Sequence, residues 1–437
     1  MKHFQIIFLP SGRRGDVPEE TTVLEASREM GVGIESVCGG KKSCGKCKVK
    51  WVQGDLSPLT EEEGKLMTES ERIEGYRLAC AARVLGNVQI FIPEESRTQE
   101  QVIRKEASQK SIELKPAVVF RFVELPSPSL HDPLGDFERL QKALAEKYGL
   151  LKIHADYPAL LKLSKVLRQG DWKVTVATWM DQEIVDVKPG RAEGPYGIAV
   201  DVGTTTVAGY LCHLGTGELI ATQAMMNPQV VYGEDVMSRI SYAVTRPDGL
   251  ETIHRSIIDG LNELIGTVAQ RSGLSSEDIL ELTVVGNTAM HHLFLKIDPR
   301  YLGMSPFTPA VHGSMDLKAR DLGLKVHPSA NVHVLPVEAG FVGADNVAVL
   351  IAEEPYRQDE MVLIIDIGTN GELVAGNRER LLSTSCATGP ALEGAHIKFG
   401  MRAAPGAIER LSIDPDTLEV NFKTIAEKGW QLQTKSA

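Results

Sequence analysis

The sequence predicts a multidomain chain in which an α+β domain is joined to α/β domains. Two patterns lead to this prediction: three cysteines cluster in one loop ahead of a distant fourth, and two segments read Asp-x-Gly-Thr. A chain of 437 residues has room for roughly two to four domains. We expect an N-terminal domain over 1–95, a linker over 96–116, a small middle α/β domain over 117–190 and a C-terminal domain over 191–437.

The first domain is defined by Cys38, Cys44, Cys47 and Cys80, which have the spacing C-x5-C-x2-C-x32-C. Three thiols in a glycine-containing loop with a distant fourth are typical of a β-grasp ferredoxin fold that holds a 2Fe–2S cluster. Glycines suit this loop because they tolerate positive φ. The four thiolates could bind zinc instead, although structural zinc sites favour two paired Cys-x2-Cys knuckles.

Apolar patterning places the elements around this loop. We expect strands over 3–9, 47–52 and 88–92, and a helix that follows Thr21 and ends near Gly31. A strand, a helix, a metal loop and further strands in under 100 residues fit a β-grasp domain.

The middle domain shows no catalytic motif and is interpreted as a spacer or docking domain. Alternation of apolar and polar residues predicts strands over 118–123 and 172–179. Apolar residues at helical spacing predict helices over 137–148 and 160–167.

The C-terminal domain contains two similar segments, 198–207 and 363–373, and their separation suggests an internal duplication. Each is an apolar strand, then Asp-x-Gly-Thr, then a second strand. In such a hairpin, threonine hydroxyls and turn amides can donate to phosphate oxygens, and the aspartate is placed to hold Mg²⁺. Two facing hairpins are the arrangement of the actin, sugar-kinase and Hsp70 superfamily, which binds ATP between two lobes.

The hairpins supply the candidate residues for ATP and magnesium. Asp201 and Asp366 are the catalytic candidates. The cofactor-binding candidates are Gly203, Thr204, Thr205, Thr206, Gly368, Thr369 and Asn370. Two ordinary glycine turns, with aspartates bonded to their own backbone, are the alternative.

Other polar residues lie in the same block. Asn287 or Thr288 is expected to cap a helix that could face a phosphate, and Asp345 is expected to cap a later helix. His291 and His292 are adjacent on a helix and do not share a face, so core or surface roles are expected for them.

Composition limits the partners and the compartment. A formal net charge of −11 argues against nucleic acid. No apolar run reaches the length of a membrane span, and the N-terminus lacks a signal-peptide pattern. Six cysteines, four of them in the cluster pattern, favour a reducing, cytoplasmic location. Cys212 and Cys386 are expected to be inert core thiols.

With both patterns in place, the chain resembles the reductive activators of corrinoid-dependent methyltransferases over essentially all of its length. The motifs that carry the resemblance are 8–15, 35–40, 200–206, 284–292, 365–372 and 387–394. The resemblance implies a 2Fe–2S ferredoxin domain, a linker, a middle domain and an actin-like ATPase domain. It also implies that ATP drives one-electron reduction of corrinoid cobalt from Co(II) to Co(I). The implied partners are a corrinoid protein of a methyltransferase system and an upstream electron donor, and a homodimer is left open.

Two features depart from the reference patterns. The five residues between Cys38 and Cys44 exceed the four of plant ferredoxins and suit the activators. Only 75 residues run from Leu363 to Ala437, so we expect a truncated second lobe with weak ATP affinity and an exposed apolar face. The alternative function is a ferredoxin-type electron-transfer protein whose actin-like block is a docking scaffold without ATPase activity. A small-molecule kinase of the same superfamily is disfavoured by the ferredoxin domain.

Overall fold

The computed structural model describes most of the chain. The described residues are 2–10, 12–30, 32–34, 36, 40, 42, 44–93, 96, 113–368, 370–386, 407–413, 419–425 and 431–432. The candidate ligands Cys38 and Thr369 lie outside the described residues, as do the 387–394 motif and residues 97–112 of the predicted linker.

The N-terminal domain is a five-stranded sheet with the order β2-β1-β5-β3-β4, in which the central pair β1 and β5 is parallel. Its elements are β1 (His3–Leu9), β2 (Arg13–Pro18), α1 (Val23–Glu29), β3 (Lys48–Leu56), α2 (Glu61–Leu66), α3 (Glu69–Ile73), β4 (Tyr76–Leu78) and β5 (Val84–Phe91). Helix α1 begins at a capping box formed by Thr22 and Glu25. The predicted strands and helix are confirmed, and the fold is the β-grasp type.

The middle domain is a four-stranded sheet with the order β6-β8-β9-β7, packed against two helices. Its elements are β6 (Val118–Glu124), α4 (Asp136–Tyr148), β7 (His154–Ala155), α5 (Tyr157–Gln169), β8 (Lys173–Trp179) and β9 (Glu183–Pro189). The two predicted strands and two predicted helices are confirmed, whereas β7 and β9 were not predicted.

The first lobe of the C-terminal block is a six-stranded sheet with the order β12-β11-β10-β13-β15-β14. Its elements are β10 (Tyr196–Val202), β11 (Thr206–His213), β12 (Glu218–Met226), α6 (Val236–Thr245), α7 (Gly249–Arg271), β13 (Ile279–Gly286), α8 (Thr288–Phe294), β14 (Met315–Lys318), β15 (Asn331–Val334) and α9 (Ala344–Glu353). Apolar residues of α6, α7 and α8 pack on β10, β11, β13 and β15 to form the largest core among the described residues.

The second lobe begins with three antiparallel strands that repeat the β10–β12 meander, as the predicted duplication requires. Its described elements are β16 (Val362–Ile367), β17 (Gly371–Gly376), β18 (Leu381–Cys386), β19 (Ile408–Ile413), β20 (Val420–Thr424) and β21 (Gln431–Leu432). Leu363, Ile365 and Ile367 of β16 are 62%, 55% and 70% exposed, so the sheet carries the expected exposed apolar face. The prediction of a core thiol at Cys386 is wrong, because strand alternation places Cys386 with Leu382 among the exposed residues of β18.

Ion pairs join the middle domain to the first lobe. Arg320 donates to both carboxylate oxygens of Asp156, at 2.5 and 3.1 Å, and Lys318 donates to Glu183 at 2.5 Å. Asp156 is buried, and paired donors of this kind fix orientation as well as distance. No helix within the described ranges is both long and apolar enough to cross a membrane.

Glu281 of β13 gives the first lobe a pH-dependent stability. Burial raises the pKa of Glu281 to about 8, although Asn331 donates to it at 3.1 Å, and Asp316 adds repulsion. The folded chain therefore keeps a proton at pH values where an unfolded glutamate has lost it. Stability should fall by up to about 1.4 kcal/mol per pH unit as the pH rises from the ordinary glutamate value towards 8.

We expect Glu281→Gln to be more stable than the wild type at pH 8.5 and close to it at pH 5, because glutamine keeps the shape without the charge. Chemical denaturation at both pH values measures the difference. An equal stability difference at pH 5 and pH 8.5 would contradict the assignment.

Candidate functional site

Backbone pairing holds two of the predicted cluster cysteines side by side. Strand β3 begins directly after Cys47 and pairs antiparallel with β4, which ends two residues before Cys80. The Cys47 carbonyl accepts the Ala79 amide at 2.8 Å. Cys47 and Cys80 are 1% and 5% exposed, and Cys44 is half-buried. The distant fourth cysteine of the pattern is thus brought next to the loop.

A buried ion pair fixes the strand that leads to Cys80. Glu63 accepts hydrogen bonds from Nε and Nη2 of Arg77, at 2.8 and 3.0 Å, and from the Leu78 amide at 3.0 Å. Burial alone would raise the pKa of Glu63, but the bonds from Arg77, Thr60 and Leu78 outweigh it and hold that pKa below the usual value. The carboxylate stays charged and keeps β4 in register beside β3.

The described part of the cysteine loop includes two glycines with left-handed backbone. Gly40 and Gly45 have φ values of +96° and +67°, a region that favours glycine. None of the five described cysteines forms a disulfide bond. No group of three His, Cys, Asp or Glu side chains among the described residues is close enough to hold a metal ion, and Cys38 lies outside that set. The thiol donors, two of them buried on paired backbone, fit a 2Fe–2S cluster.

The first Asp-x-Gly-Thr segment forms the turn between β10 and β11. Val202 pairs with Val207, which leaves residues 203–206 as the loop. A Cβ on Gly203 would lie 2.7 Å from the Thr206 carbonyl oxygen, so this position requires glycine. The loop is therefore as tight as the sequence predicted.

Asn287 supports this turn from the next strand. Its Oδ1 accepts the Met290 amide at 3.0 Å and caps α8, as expected, and its Nδ2 donates to the Thr204 hydroxyl at 2.9 Å. Thr204 is buried, so its side chain braces the turn from inside the lobe. Gly343 packs directly on Asn287, since a Cβ there would lie 2.4 Å from the Asn287 Cα. The start of α9 is thereby placed beside the hairpin.

Two side chains that the sequence analysis did not identify bond the back of the same turn. Asn227 donates through Nδ2 to the Gly203 carbonyl at 2.7 Å and through its backbone amide to the Thr205 carbonyl at 2.8 Å. Arg239 donates through Nη2 to the Thr204 carbonyl. Both residues are 0% exposed.

Four carboxylates at the two hairpins are near enough to repel one another electrostatically: Asp201 of β10, Asp345 of α9, Asp366 of β16 and Glu372 of β17. Burial raises the pKa of Asp201 to about 7, and repulsion from Asp345 and Asp366 adds to it. Asp201 is nevertheless exposed to solvent, so repulsion from the neighbouring carboxylates matters beside burial. Burial likewise raises the pKa of Asp345 to about 6 and that of Glu372 to about 7.

These carboxylates repel one another and a nearby cation would relieve that repulsion, but no three of them are close enough together to bind a metal ion directly. Asp201 also lines a cavity of about 1000 Å³ between the six-stranded sheet and α9. That volume lies within the range of small-molecule sites.

The prediction that Asp345 caps a helix is wrong. Gly343 is the N-cap of α9 without a side-chain bond, and Asp345 lies in the first turn, where a negative charge is favoured. Glu338 bridges the lobes, since it accepts from Asn346 at 2.8 Å and from the Ser383 hydroxyl of β18. The Glu372 carboxylate accepts from Ser385 at 3.3 Å. The acidic character of the second hairpin motif could have signalled Glu372, whereas no local pattern marks Asp345 as a member of the cluster.

His291 and His292 are core residues. His292 Nδ1 donates to the Thr288 carbonyl at 2.8 Å, and its Nε2 accepts the Ala310 amide at 3.0 Å. Burial lowers the pKa of His291 to about 4. Both rings are therefore neutral parts of the packing around α8.

Helix α1 of the N-terminal domain lies against the first lobe. Glu25 and Arg246 form an ion pair at 3.6 Å. Arg28 lies close enough to Tyr232 and Tyr242 to interact electrostatically with both, and the centroids of those rings are 4.8 Å apart. Burial lowers the pKa of Arg28, and its Nε and Nη2 are enclosed without a hydrogen-bond partner. Tyr232 ends the short turn that follows Asn227, so the cysteine domain docks beside the first hairpin.

Comparison with known proteins gives four matching family models. Residues 7–85 match the 2Fe-2S iron-sulfur cluster binding domain. Residues 107–194 match the RACo linker region, 196–358 the RACo middle region, and 360–432 the C-terminal domain of RACo, the ASKHA domain.

Individual relatives share this organisation. A solved structure described as a reductive activator for corrinoid, iron-sulfur protein is 35% identical, with a TM-score of 0.66 over 96% of this chain and 69% of that one. The corrinoid activation enzyme RamQ of Eubacterium limosum is 33% identical over 91% of this chain and 63% of its own length. A [Co(II) methylated amine-specific corrinoid protein] reductase of Methanosarcina barkeri is 29% identical over 49% of this chain and 40% of its own length. The chain thus spans under two thirds of these two curated relatives.

Removing one charge from the carboxylate cluster should stabilise the chain only at high pH. We expect Asp366→Asn to raise the free energy of unfolding by on the order of 1 kcal/mol at pH 8, where its neighbours are charged. At pH 5 the neighbours are protonated, so the variant should match the wild type. Thermal unfolding without divalent cations measures the effect. Asp259→Asn, on the exposed side of α7, is the control. A gain of equal size at both pH values would contradict a charged cluster.

Proposed function

The chain belongs to the family of reductive activators of corrinoid proteins, and from this premise we propose that it reduces a corrinoid protein from Co(II) to Co(I) in an ATP-dependent one-electron step. One observation carries the proposal. The domain with the cysteine loop docks through α1 on the same lobe that presents the phosphate hairpin and the carboxylate cluster. Parts suited to electron transfer and to nucleotide binding are therefore in direct contact.

The N-terminal domain is a 2Fe–2S cluster binding domain, and we assign Cys38, Cys44, Cys47 and Cys80 as its ligands. When bound, a plant-type cluster supplies single electrons near about −400 mV. The protein keeps Cys47 and Cys80 at the adjoining ends of the paired strands β3 and β4, and the charged Glu63 stabilises that pairing. The apolar core behind these thiols excludes water from one side of the site.

The actin-like block is the proposed ATP site. Asp201 and Asp366 are proposed to hold Mg²⁺, directly or through water, with Asp345 and Glu372 beside them. The proposed phosphate-binding residues are Gly203, Thr204, Thr205, Thr206, Gly368, Thr369 and Asn370. Corrinoid Co(II) is harder to reduce than a plant-type cluster. Each ~59 mV of mismatch in a one-electron transfer costs a factor of ten in the equilibrium constant, which is why an energy source is needed.

The proposed partner is therefore a corrinoid protein of a methyltransferase system, whose Co(II) accepts the electron. An upstream electron donor, a homodimer and a cytoplasmic location stay predictions.

A single-turnover assay tests the function. The protein, loaded with iron and sulfide under anaerobic conditions, is mixed with a purified Co(II) corrinoid protein and titanium(III) citrate, with and without MgATP. Absorbance of Co(I) should rise only when both the protein and MgATP are present. Equal rates with and without MgATP would contradict the proposal and favour an electron-transfer protein with a scaffold lobe.

Replacing a cluster cysteine should remove the metal without unfolding the rest of the chain. We expect Cys44→Ser to lose most of its iron and sulfide and its visible absorption, because a 2Fe–2S cluster needs four protein ligands. Cys212→Ser, a half-buried thiol of β11, is the matched control and should keep full iron content. Iron and sulfide assays on anaerobically purified proteins measure both. Full iron retention in Cys44→Ser would contradict the ligand assignment.

A further inference from the structure

Three successive carbonyl groups of the first hairpin point into the buried interior of the lobe. Those of Gly203 and Thr205 accept from Asn227, at 2.7 and 2.8 Å, and that of Thr204 accepts from Arg239. Asn227 and Arg239 have no exposed surface. The side of the turn that carries these carbonyls is therefore the inner side.

The planarity of the peptide unit fixes the direction of the amides that follow these carbonyls. In a trans peptide unit the carbonyl of one residue and the N–H of the next point in opposite directions, and bonds that do not involve proline are trans. The inward carbonyls of Gly203 and Thr204 therefore direct the amides of Thr204 and Thr205 away from the lobe interior. Adjacent amides on the outer side of a glycine turn are suited to binding an anion.

Arg239 adds a positive charge directly behind this turn. Its polar contacts are the Gly233 carbonyl at 2.7 Å, the Thr204 carbonyl and the Met290 sulfur at 3.1 Å, and none of them is a carboxylate. Burial lowers the pKa of Arg239 to about 9, which leaves the guanidinium charged at neutral pH. Asp235 and Glu234 are near enough to attract the guanidinium, but burying a cation that has no hydrogen-bonded anion still costs stability. An anion bound on the outer side of the turn would offset that cost.

We propose that Arg239 and Asn227 are positioning residues for a phosphate group of the nucleotide at the first hairpin. They orient the amides of Thr204 and Thr205 towards the phosphate, and Arg239 supplies an attractive charge from inside the lobe. This inference rests on the proposed function, because it assigns the phosphate to MgATP. Neither residue touches the ligand.

The experiment measures binding of MgATP, tripolyphosphate and adenosine by calorimetry. Arg239→Met keeps an unbranched side chain but removes the charge and the hydrogen bonds to the Gly233 and Thr204 carbonyls. Asn227→Asp keeps the oxygen that accepts the Gln229 amide at 2.9 Å but places a carboxylate oxygen against the Gly203 carbonyl. Gln229→Met is the matched control. It removes an equally buried donor on the same segment, which bonds Ile253 at 3.0 Å rather than the hairpin.

We expect Arg239→Met and Asn227→Asp to weaken MgATP and tripolyphosphate binding by about ten- to a hundred-fold, the effect of losing a charge-assisted hydrogen bond. Adenosine binding should be unchanged in both variants, and Gln229→Met should bind all three ligands as the wild type does. Arg239→Lys, which restores the charge without the planar fork, should recover part of the tripolyphosphate affinity. A purely structural role would not give this recovery or the selectivity for phosphate.

The outcomes separate this inference from the function on which it rests. Circular dichroism first establishes that each variant is folded, and if Arg239→Met does not fold, Arg239→Lys and Asn227→Asp carry the test. Wild-type affinity for tripolyphosphate in folded Arg239→Met or Asn227→Asp overturns the inference but leaves the proposed function standing. An equal loss of adenosine affinity overturns it too. A wild-type protein that binds neither MgATP nor tripolyphosphate overturns both.

Discussion

The hydrogen bonds that hold the carbonyls of residues 203–205 inside the first lobe are the constraint on which the nucleotide side of the molecule depends. They set the direction of the turn, and Gly203 allows the turn to close against the Thr206 carbonyl. The carboxylate cluster opposite carries negative charge that would complement a cation. Burial and mutual repulsion raise the pKa values of Asp201 and Asp345. A buried cation on one side and crowded carboxylates on the other both reduce stability, and bound MgATP would relieve both.

A short segment connects this constraint to the electron-transfer side. Asn227 begins it with two bonds to the hairpin, and Tyr232 ends it against Arg28 of α1. Helix α1 packs in the same core as Cys47 and Cys80. A movement of the hairpin on nucleotide binding therefore has a packed route to the cysteine domain. The exposed ion pair between Glu25 and Arg246 contributes little to this contact. Arg28 is enclosed there beside Tyr232 and Tyr242, with two nitrogen atoms that have no hydrogen-bond partner.

The sequence predicts those features of the fold and the site that depend on residues close together in the chain. Cysteine spacing, the repeated Asp-x-Gly-Thr and apolar periodicity predicted the β-grasp domain, the duplicated meander and a cap at Asn287 or Thr288, and the cap is Asn287. Contacts made through the tertiary fold could not be predicted. Asn227 and Arg239 reach the turn from 24 and 35 residues away, and neither lies in a recognisable motif. Asp345 was interpreted as a cap because a cap is the commonest local role of aspartate at a helix start. The small-residue context of Cys386 predicts a core thiol, but local context gives no information about which face of β18 is covered.

Hydrogen–deuterium exchange at the first hairpin tests the central claim most directly. The amides of Thr204 and Thr205 are followed in the wild-type protein alone, with saturating MgATP and with adenosine. If phosphate binds on the outer side of the turn, MgATP should slow exchange at these two amides and adenosine should not. Saturation with MgATP that leaves their exchange rates unchanged would contradict the account.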